Sequence, residues 1–143
     1  MTTRIYIPRD SASLSVGADE VAARFTDALT ARGASFEIVL NGSRGMLWLE
    51  PFVEVETPAG RVGYGPVAVD DVEGLLDAGF LEGRAHALSH GVVDQMRWLA
   101  TQQRVTFARM GLFDPLDLDD YRASGGLRGL ERAITIEPSE VVG

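Results

Sequence analysis

The sequence predicts an α/β (α+β) chain: a four-stranded mixed sheet carrying two helices, followed by a mainly helical extension. Three observations carry this. Strand-forming runs flank one long amphipathic stretch, in the order β-α-β, over residues 4–40. A strictly alternating run and its return make a hairpin between residues 52 and 64. Beyond about residue 82 the strand pattern gives way to short helix-forming runs broken by glycine.

Arg4-Ile5-Tyr6-Ile7 opens as a short strand with Ile5 and Ile7 on one face. Pro8 ends it, and residues 8–15 read as a polar loop. Residues 17–32 read as a helix, because Val21, Phe25, Ala28 and Leu29 fall on one stripe at i, i+4, i+7 and i+8. Gly33 stands where a glycine ends a helix in the left-handed conformation. Residues 36–40 form a second strand, and β-α-β order implies a right-handed crossover with parallel pairing. A loop over residues 41–50 carries the apolar Met46, Leu47 and Trp48. Phe52-Val53-Glu54-Val55-Glu56 alternates as a half-buried strand does, and Thr57-Pro58-Ala59-Gly60 turns it into residues 61–64. Residues 69–78 are the second helix, with Asp70 and Asp71 where the helix dipole favours acids.

The organisation expected is a first domain over 1–82, a linker over 83–98 and a helical segment over 99–143. Within the last two, residues 94–107, 118–123 and 127–134 are the helical stretches, with Pro138 at a further helix start.

Composition bounds the function. The chain has 143 residues, 45% hydrophobic, enough for a core without covalent staples. The net charge of −8 argues against nucleic acid and anionic membranes as partners, since both call for a basic surface. All 13 basic residues are Arg, so no lysine Schiff base or phosphate-loop lysine is available. There is no cysteine, which removes disulfides, Cys-ligated zinc and a thiol nucleophile. No apolar leader is seen at the N-terminus, and a cytoplasmic location is expected.

Two loops have the spacing of a cluster-binding frame. Ser43-Arg44-Gly45-Met46-Leu47-Trp48-Leu49-Glu50-Pro51 fits C-x-G-x-C-x-x-x-P, and residues 8–17 fit C-x4-C-x3-G. The four ligand positions hold Pro8, Ser13, Ser43 and Leu47. Thiolate holds iron in such clusters and oxygen is a poor substitute, so no metal is expected there. His86 and His90 lie i, i+4, but the Glu of a zinc-protease helix is missing, and they read as linker residues. Gly42-Ser43-Arg44-Gly45 is not a nucleophile elbow, because the serine directly follows the first glycine. Asp70-Asp71 and Asp119-Asp120 read as first-turn acids. No catalytic, cofactor-binding or metal-binding residues are therefore expected. The candidate partner-binding residues are Arg44, Met46, Leu47, Trp48, Arg104, Phe107 and Arg109. Apolar residues with an Arg are what interface cores enrich. Two readings of the loop stand side by side: an interface, or Leu47 and Trp48 filling the space of a lost cluster. Arg104, Phe107 and Arg109 pack either against a further domain or against this one.

On these loops, and on Arg61-Val62-Gly63-Tyr64-Gly65-Pro66-Val67 followed by Asp70-Asp71-Val72, residues 4–82 resemble the thioredoxin-like [2Fe–2S] ferredoxin subunit of NADH dehydrogenases. Residues 99–142 resemble the start of the flavin-binding subunit of NADH dehydrogenase (complex I). The matching residues are Gly111-Leu112-Phe113-Asp114-Pro115, then Asp120-Tyr121 through Gly125-Gly126-Leu127, then Leu130, Ala133 and Pro138-Ser139-Glu140-Val141-Val142. A degenerate ferredoxin domain ahead of a flavin subunit is similar to the N-terminal part of the beta (diaphorase) subunit of soluble NAD-dependent molybdenum formate dehydrogenases.

The resemblance implies a docking and structural role for this segment, non-catalytic by itself. It implies that the full subunit passes electrons from formate oxidation through an iron–sulfur cluster and FMN to NAD, with FMN, NAD(H) and a [4Fe–4S] cluster bound outside this segment. It implies other subunits of such a complex as partners, above all a [2Fe–2S] gamma-type subunit. It also makes residues 99–143 a truncated domain start, so the isolated chain is expected to self-associate or to be loosely ordered beyond residue 83. The alternative is a free-standing thioredoxin-like protein-interaction module without redox activity.

Overall fold

In the computed structural model, residues 2–142 are described. They divide into two compact units, Met1–Phe113 and Asp114–Gly143. The first is built on a five-stranded mixed sheet of order β2-β1-β3-β4-β5, with β1 Thr3–Pro8, β2 Phe36–Asn41, β3 Val53–Thr57, β4 Gly60–Tyr64 and β5 Ser89–Val92.

The crossover from β1 runs through α1 Ser11–Leu14 and α2 Ala18–Ala31 into β2, which pairs parallel to β1 with Ile5 opposite Ile38. The expected helix 17–32 thus forms within a residue at each end, and Gly33 follows it at φ +65°. The hairpin β3–β4 sits antiparallel beside β1, with Tyr6 opposite Glu54 and Val55 opposite Val62. The helix α3 Asp71–Asp77 follows.

Alternation decides which side is buried. Ile5, Ile7, Val53, Val55, Val62 and Tyr64 face α2 and α3, where Val21, Phe25, Ala28, Leu29, Val72, Leu75 and Phe80 complete the core. Phe80 joins two aromatic contacts, its ring centre 5.0 Å from that of Phe25 and 5.0 Å from that of Tyr64. Each such side chain, fully buried, contributes roughly 1.5–3 kcal/mol of transfer free energy.

Three local expectations need correction. Residues 8–15 are not all loop: Asp10 caps α1 by accepting from the Ala12 and Ser13 amides, which organises a single turn too short to show periodicity. The expected linker 83–98 contains β5, so the sheet has five strands and not four. Strand β5 is held by pairing to β4 and by two tethers, Tyr64 Oη donating to the Arg84 carbonyl at 2.7 Å and the Gly65 amide donating to the Leu88 carbonyl at 3.0 Å. The helix expected over 94–107 is reduced to a 3-10 turn at Val93–Gln95 and α4 Arg97–Ala100. The chain then runs irregularly to residue 113, past the β-branched Val105 and Thr106.

A second apolar cluster lies under this segment: Met46, Leu49, Phe52 and Val93 are buried, with Met96 and Leu99 against them. The second unit contains α5 Leu118–Ala123, capped by Asp117, then α6 Arg128–Ala133 and α7 Pro138–Val142. None of these three helices has a buried residue. Among the described residues no helix is long and apolar enough to cross a membrane.

Candidate functional site

The two loops of cluster-type spacing meet at one carboxylate. Asp10 Oδ2 accepts from the Ser13 hydroxyl at 2.9 Å and from the Ser43 amide at 2.9 Å, so one side chain holds both loops. The Ser43 hydroxyl accepts from the Gly45 amide at 2.9 Å. Ser13 and Ser43 are both buried. Glu50, buried beside the Ser43 and Ser13 hydroxyls, accepts from the Phe52 amide at 2.9 Å. Burial, and then the nearby Asp10 charge, push the Glu50 carboxyl up, against the pull of the Ser43 and Ser13 hydroxyls and the Phe52 amide.

This group does not fit an iron–sulfur cluster. Of the four ligand positions, Ser13 and Ser43 point into the same polar node but spend their hydroxyls on it. Pro8 has no donor atom beyond its backbone, and Leu47 is 61% exposed. There is no cysteine to replace them. Among the described residues no three His, Cys, Asp or Glu side chains converge as a metal site. His86 Nδ1 accepts from the Leu88 amide, and His90 Nε2 bonds the Gly65 carbonyl on the sheet's β5 side, so the i, i+4 spacing does not produce a shared position.

Of the seven candidate partner-binding residues, two point inward. Arg44 lies against the sheet face opposite α2 and α3 and grips Glu54 with both prongs, Nε to Oε1 at 2.7 Å and Nη2 to Oε2 at 2.8 Å. Burial pulls the Arg44 guanidinium down, but the Glu54 bond and charge prevail and leave it raised. Met46 is buried among Leu49, Phe52 and Val93. It is Met46, and not Leu47 or Trp48, that fills the interior beneath the loop. The 3-10 turn Leu47–Leu49 sends Leu49 in and leaves Trp48 59% exposed.

Trp48 packs edge-on against Trp98, with ring centres 5.3 Å apart and planes at 86°. Trp98, on α4, is itself 54% exposed. It continues into a groove of about 620 Å3 lined by Gly45, Trp98, Arg104, Val105, Phe107 and Met110 among others. Arg104 bonds the Arg44 carbonyl at 2.7 Å and so ties this segment to the loop. Phe107 is 61% exposed. Arg109, exposed on the same segment, is engaged within the molecule. The sequence did not single out Trp98; a second tryptophan on a short helix start is the only trace it leaves.

The segment is strapped down at its far end. Arg61 donates to the Gly111 carbonyl at 2.8 Å and to the Leu112 carbonyl, and Asn41 Nδ2 donates to the Gly111 carbonyl at 2.8 Å. The Arg61 guanidinium lies 3.4 Å over the Tyr6 ring. Gly111 is required here. Its φ is +79°, and a Cβ would stand 2.6 Å from Arg44 Cδ. Chemically the arrangement offers an exposed aromatic face, Trp48, Trp98 and Phe107, with Arg104 beside it.

No protein-family model and no characterised protein matches the sequence. Similarity appears among solved structures. The thioredoxin-like [2Fe–2S] ferredoxin from Aquifex aeolicus superposes on 63% of this chain and 97% of its own, with 20% identity and a TM-score of 0.51. A cysteine-to-serine variant of that ferredoxin superposes on 62% of this chain and 98% of its own, with 21% identity and a TM-score of 0.53. The fold is therefore thioredoxin-like, as these ferredoxins have it.

Proposed function

We propose that this chain is a docking module of an electron-transfer enzyme, in which a ferredoxin-type fold serves assembly and carries no cluster of its own. The observation that supports the reading is the Asp10–Ser13–Ser43–Glu50 node: one carboxylate holds together the two loops whose spacing resembles the ligand loops of such ferredoxins. The exposed Leu47, Trp48 and Trp98 beside it supply the contact face.

The enzyme proposed is an NAD-dependent formate dehydrogenase, with this chain as the N-terminal portion of its beta subunit. The flavin-subunit motif over residues 111–142 supports that assignment. FMN, NAD(H) and a [4Fe–4S] cluster then lie outside these residues, and a [2Fe–2S] gamma-type subunit is the proposed partner of the loop face. A cytoplasmic location goes with it. The alternative is a free-standing interaction module. It is supported by one observation: 98% of a thioredoxin-like [2Fe–2S] ferredoxin chain is matched by 62% of this chain.

The test is co-purification from the source cells. A tagged chain is expected to carry formate:NAD activity, flavin and iron with it, and Trp48→Ser with Trp98→Ser to lose all three. Recovery of the tagged chain without activity, flavin or iron would decide for the free-standing module.

A further inference from the structure

Asn41 is the chain's one asparagine, and Gly42 follows it. In such a pair the glycine nitrogen can attack the side-chain amide carbon, because no Cβ shields it. A bond forms from that nitrogen to Asn41 Cγ, and Nδ2 leaves as ammonia. Water then opens the cyclic imide to aspartate or isoaspartate. No oxidant and no enzyme is needed. Nor does the fold call for glycine here: a Cβ on Gly42 would meet nothing within 4 Å, and its φ lies outside the left-handed region.

Two features hold the reaction back in the folded chain. Asn41 is the last residue of β2, and extended backbone keeps the following nitrogen away from the side-chain carbon. Asn41 is also buried, and its Nδ2 donates to the Gly111 carbonyl at 2.8 Å. Both holds are slight. Strand β2 is at the edge of the sheet, and Pro8, opposite Asn41, has no amide proton for the ladder. The strand end is held by the Arg9 amide, which donates to the Asn41 carbonyl at 2.9 Å. Asn41 Oδ1 is buried and, among the described residues, has no hydrogen-bond partner. The side-chain amide is therefore fixed by its bond to Gly111, and an unpaired buried acceptor favours opening.

We propose that Asn41 is a deamidation site, gated by the strap at Gly111, whose product unfastens that strap. When residues 104–113 lift, the side chain loses its bond, the strand end frays and the ring can close. Aspartate then puts an acceptor and a buried charge where a donor faced the Gly111 carbonyl. Arg61 donates to that same carbonyl and to the Leu112 carbonyl, and the new carboxylate draws it off both. Isoaspartate lengthens the backbone by one methylene and shifts the Arg9 bond out of register. Refolding reverses neither product, so the release is one-way.

The experiment is ageing of the full chain at mildly alkaline pH, then cleavage after arginine and mass spectrometry of the peptide 33–44. That peptide contains Asn41 and no other side-chain amide. The folded wild type is expected to convert at least about tenfold more slowly than the chain in urea. Gly111→Ala and, separately, Arg61→Gln loosen the strap and are expected to speed conversion severalfold. Gly42→Ala, where the methyl has room, is expected to keep the fold and to suppress conversion both folded and in urea. Asn41→Asp is expected to show faster amide exchange than wild type over residues 104–113, with β1, β3 and β4 unchanged. Equal rates in the wild type and both strap variants overturn the gate, as does conversion equally fast folded and in urea. Absence of conversion in every folded form overturns the site. Wild-type protection over residues 104–113 in Asn41→Asp overturns the release. All of these are read on the chain alone, so they stand or fall apart from the co-purification of enzyme activity.

Discussion

Arg44 and Glu54 form a buried two-pronged ion pair that joins the cluster-type loop to the middle of the sheet, at 2.7 and 2.8 Å. Glu54 is 1% exposed, so neither charge has water to fall back on. Removing one partner alone leaves the other buried with a single longer contact, Arg61 at 3.5 Å from Glu54 or Asp94 at 3.9 Å from Arg44, and costs up to about 3–5 kcal/mol. Glu54→Leu and Arg44→Met are each expected to lose that much in urea unfolding. The double variant is expected to recover most of it. Additive losses in the double-mutant cycle count against this account.

Glu50 gives a pH dependence of defined sign. Its carboxyl is raised by burial and by Asp10, so folding favours the protonated form. Its contribution is therefore fully present below the unfolded carboxylate value, about 4.3, and is lost as pH rises through the folded value. Glu50→Gln keeps a neutral group at every pH. We expect the variant to melt above wild type at pH 8, with the gap closing as pH falls toward about 4. Thermal melts of both proteins at several pH values read this directly, and a gap that widens in acid contradicts it.

Gly111→Ala tests the strap. The added methyl meets Arg44 Cδ at a backbone angle that side chains rarely adopt. Arg44 is pinned by Glu54 and cannot swing away. Faster amide exchange over residues 104–113 is expected, with the strands unchanged. Equal protection in both proteins rejects the strap.

The exposed tryptophan pair separates docking from stability. An edge-on aromatic contact contributes about 0.5–1.5 kcal/mol. Trp48→Ala is expected to lower stability by no more than about that amount, because the core lies elsewhere. A loss above roughly 3 kcal/mol, the range of core aromatic truncations, means Trp48 is structural after all.

The node at Asp10 predicts an iron-free protein. Anaerobic reconstitution with iron and sulfide is expected to leave the chain colourless. A stoichiometric [2Fe–2S] resonance in electron paramagnetic resonance would falsify the reading of Ser13 and Ser43 as loop-closing residues. Titration with FMN or NADH is likewise expected to show no micromolar site in this chain.

What the sequence made legible was whatever repeats locally. The stripe Val21, Phe25, Ala28 and Leu29 gave α2, and the alternation of residues 52–56 gave β3. Strand β5 was hidden because Ser89-His90-Gly91-Val92 has neither alternation nor a β-branched run, and pairs through β4 and its tethers. At the site, the spacing of Ser13 and Ser43 was readable, but not that Asp10 joins them from a third position. The direction of Met46 against Leu47 depends on one 3-10 turn, which adjacent apolar residues cannot reveal. The contacts Arg44–Glu54 and Trp48–Trp98 span 10 and 50 positions, beyond any local pattern.

A fold whose two loops are closed by Asp10 matures differently from one closed by iron. Every group needed is delivered by the ribosome, so the loops can set as soon as residues 10 and 43 are both made. No sulfide donor or scaffold protein is needed to close these two loops. Oxygen and oxidants that dismantle clusters find no target in the node. A cell starved of iron would still close these two loops.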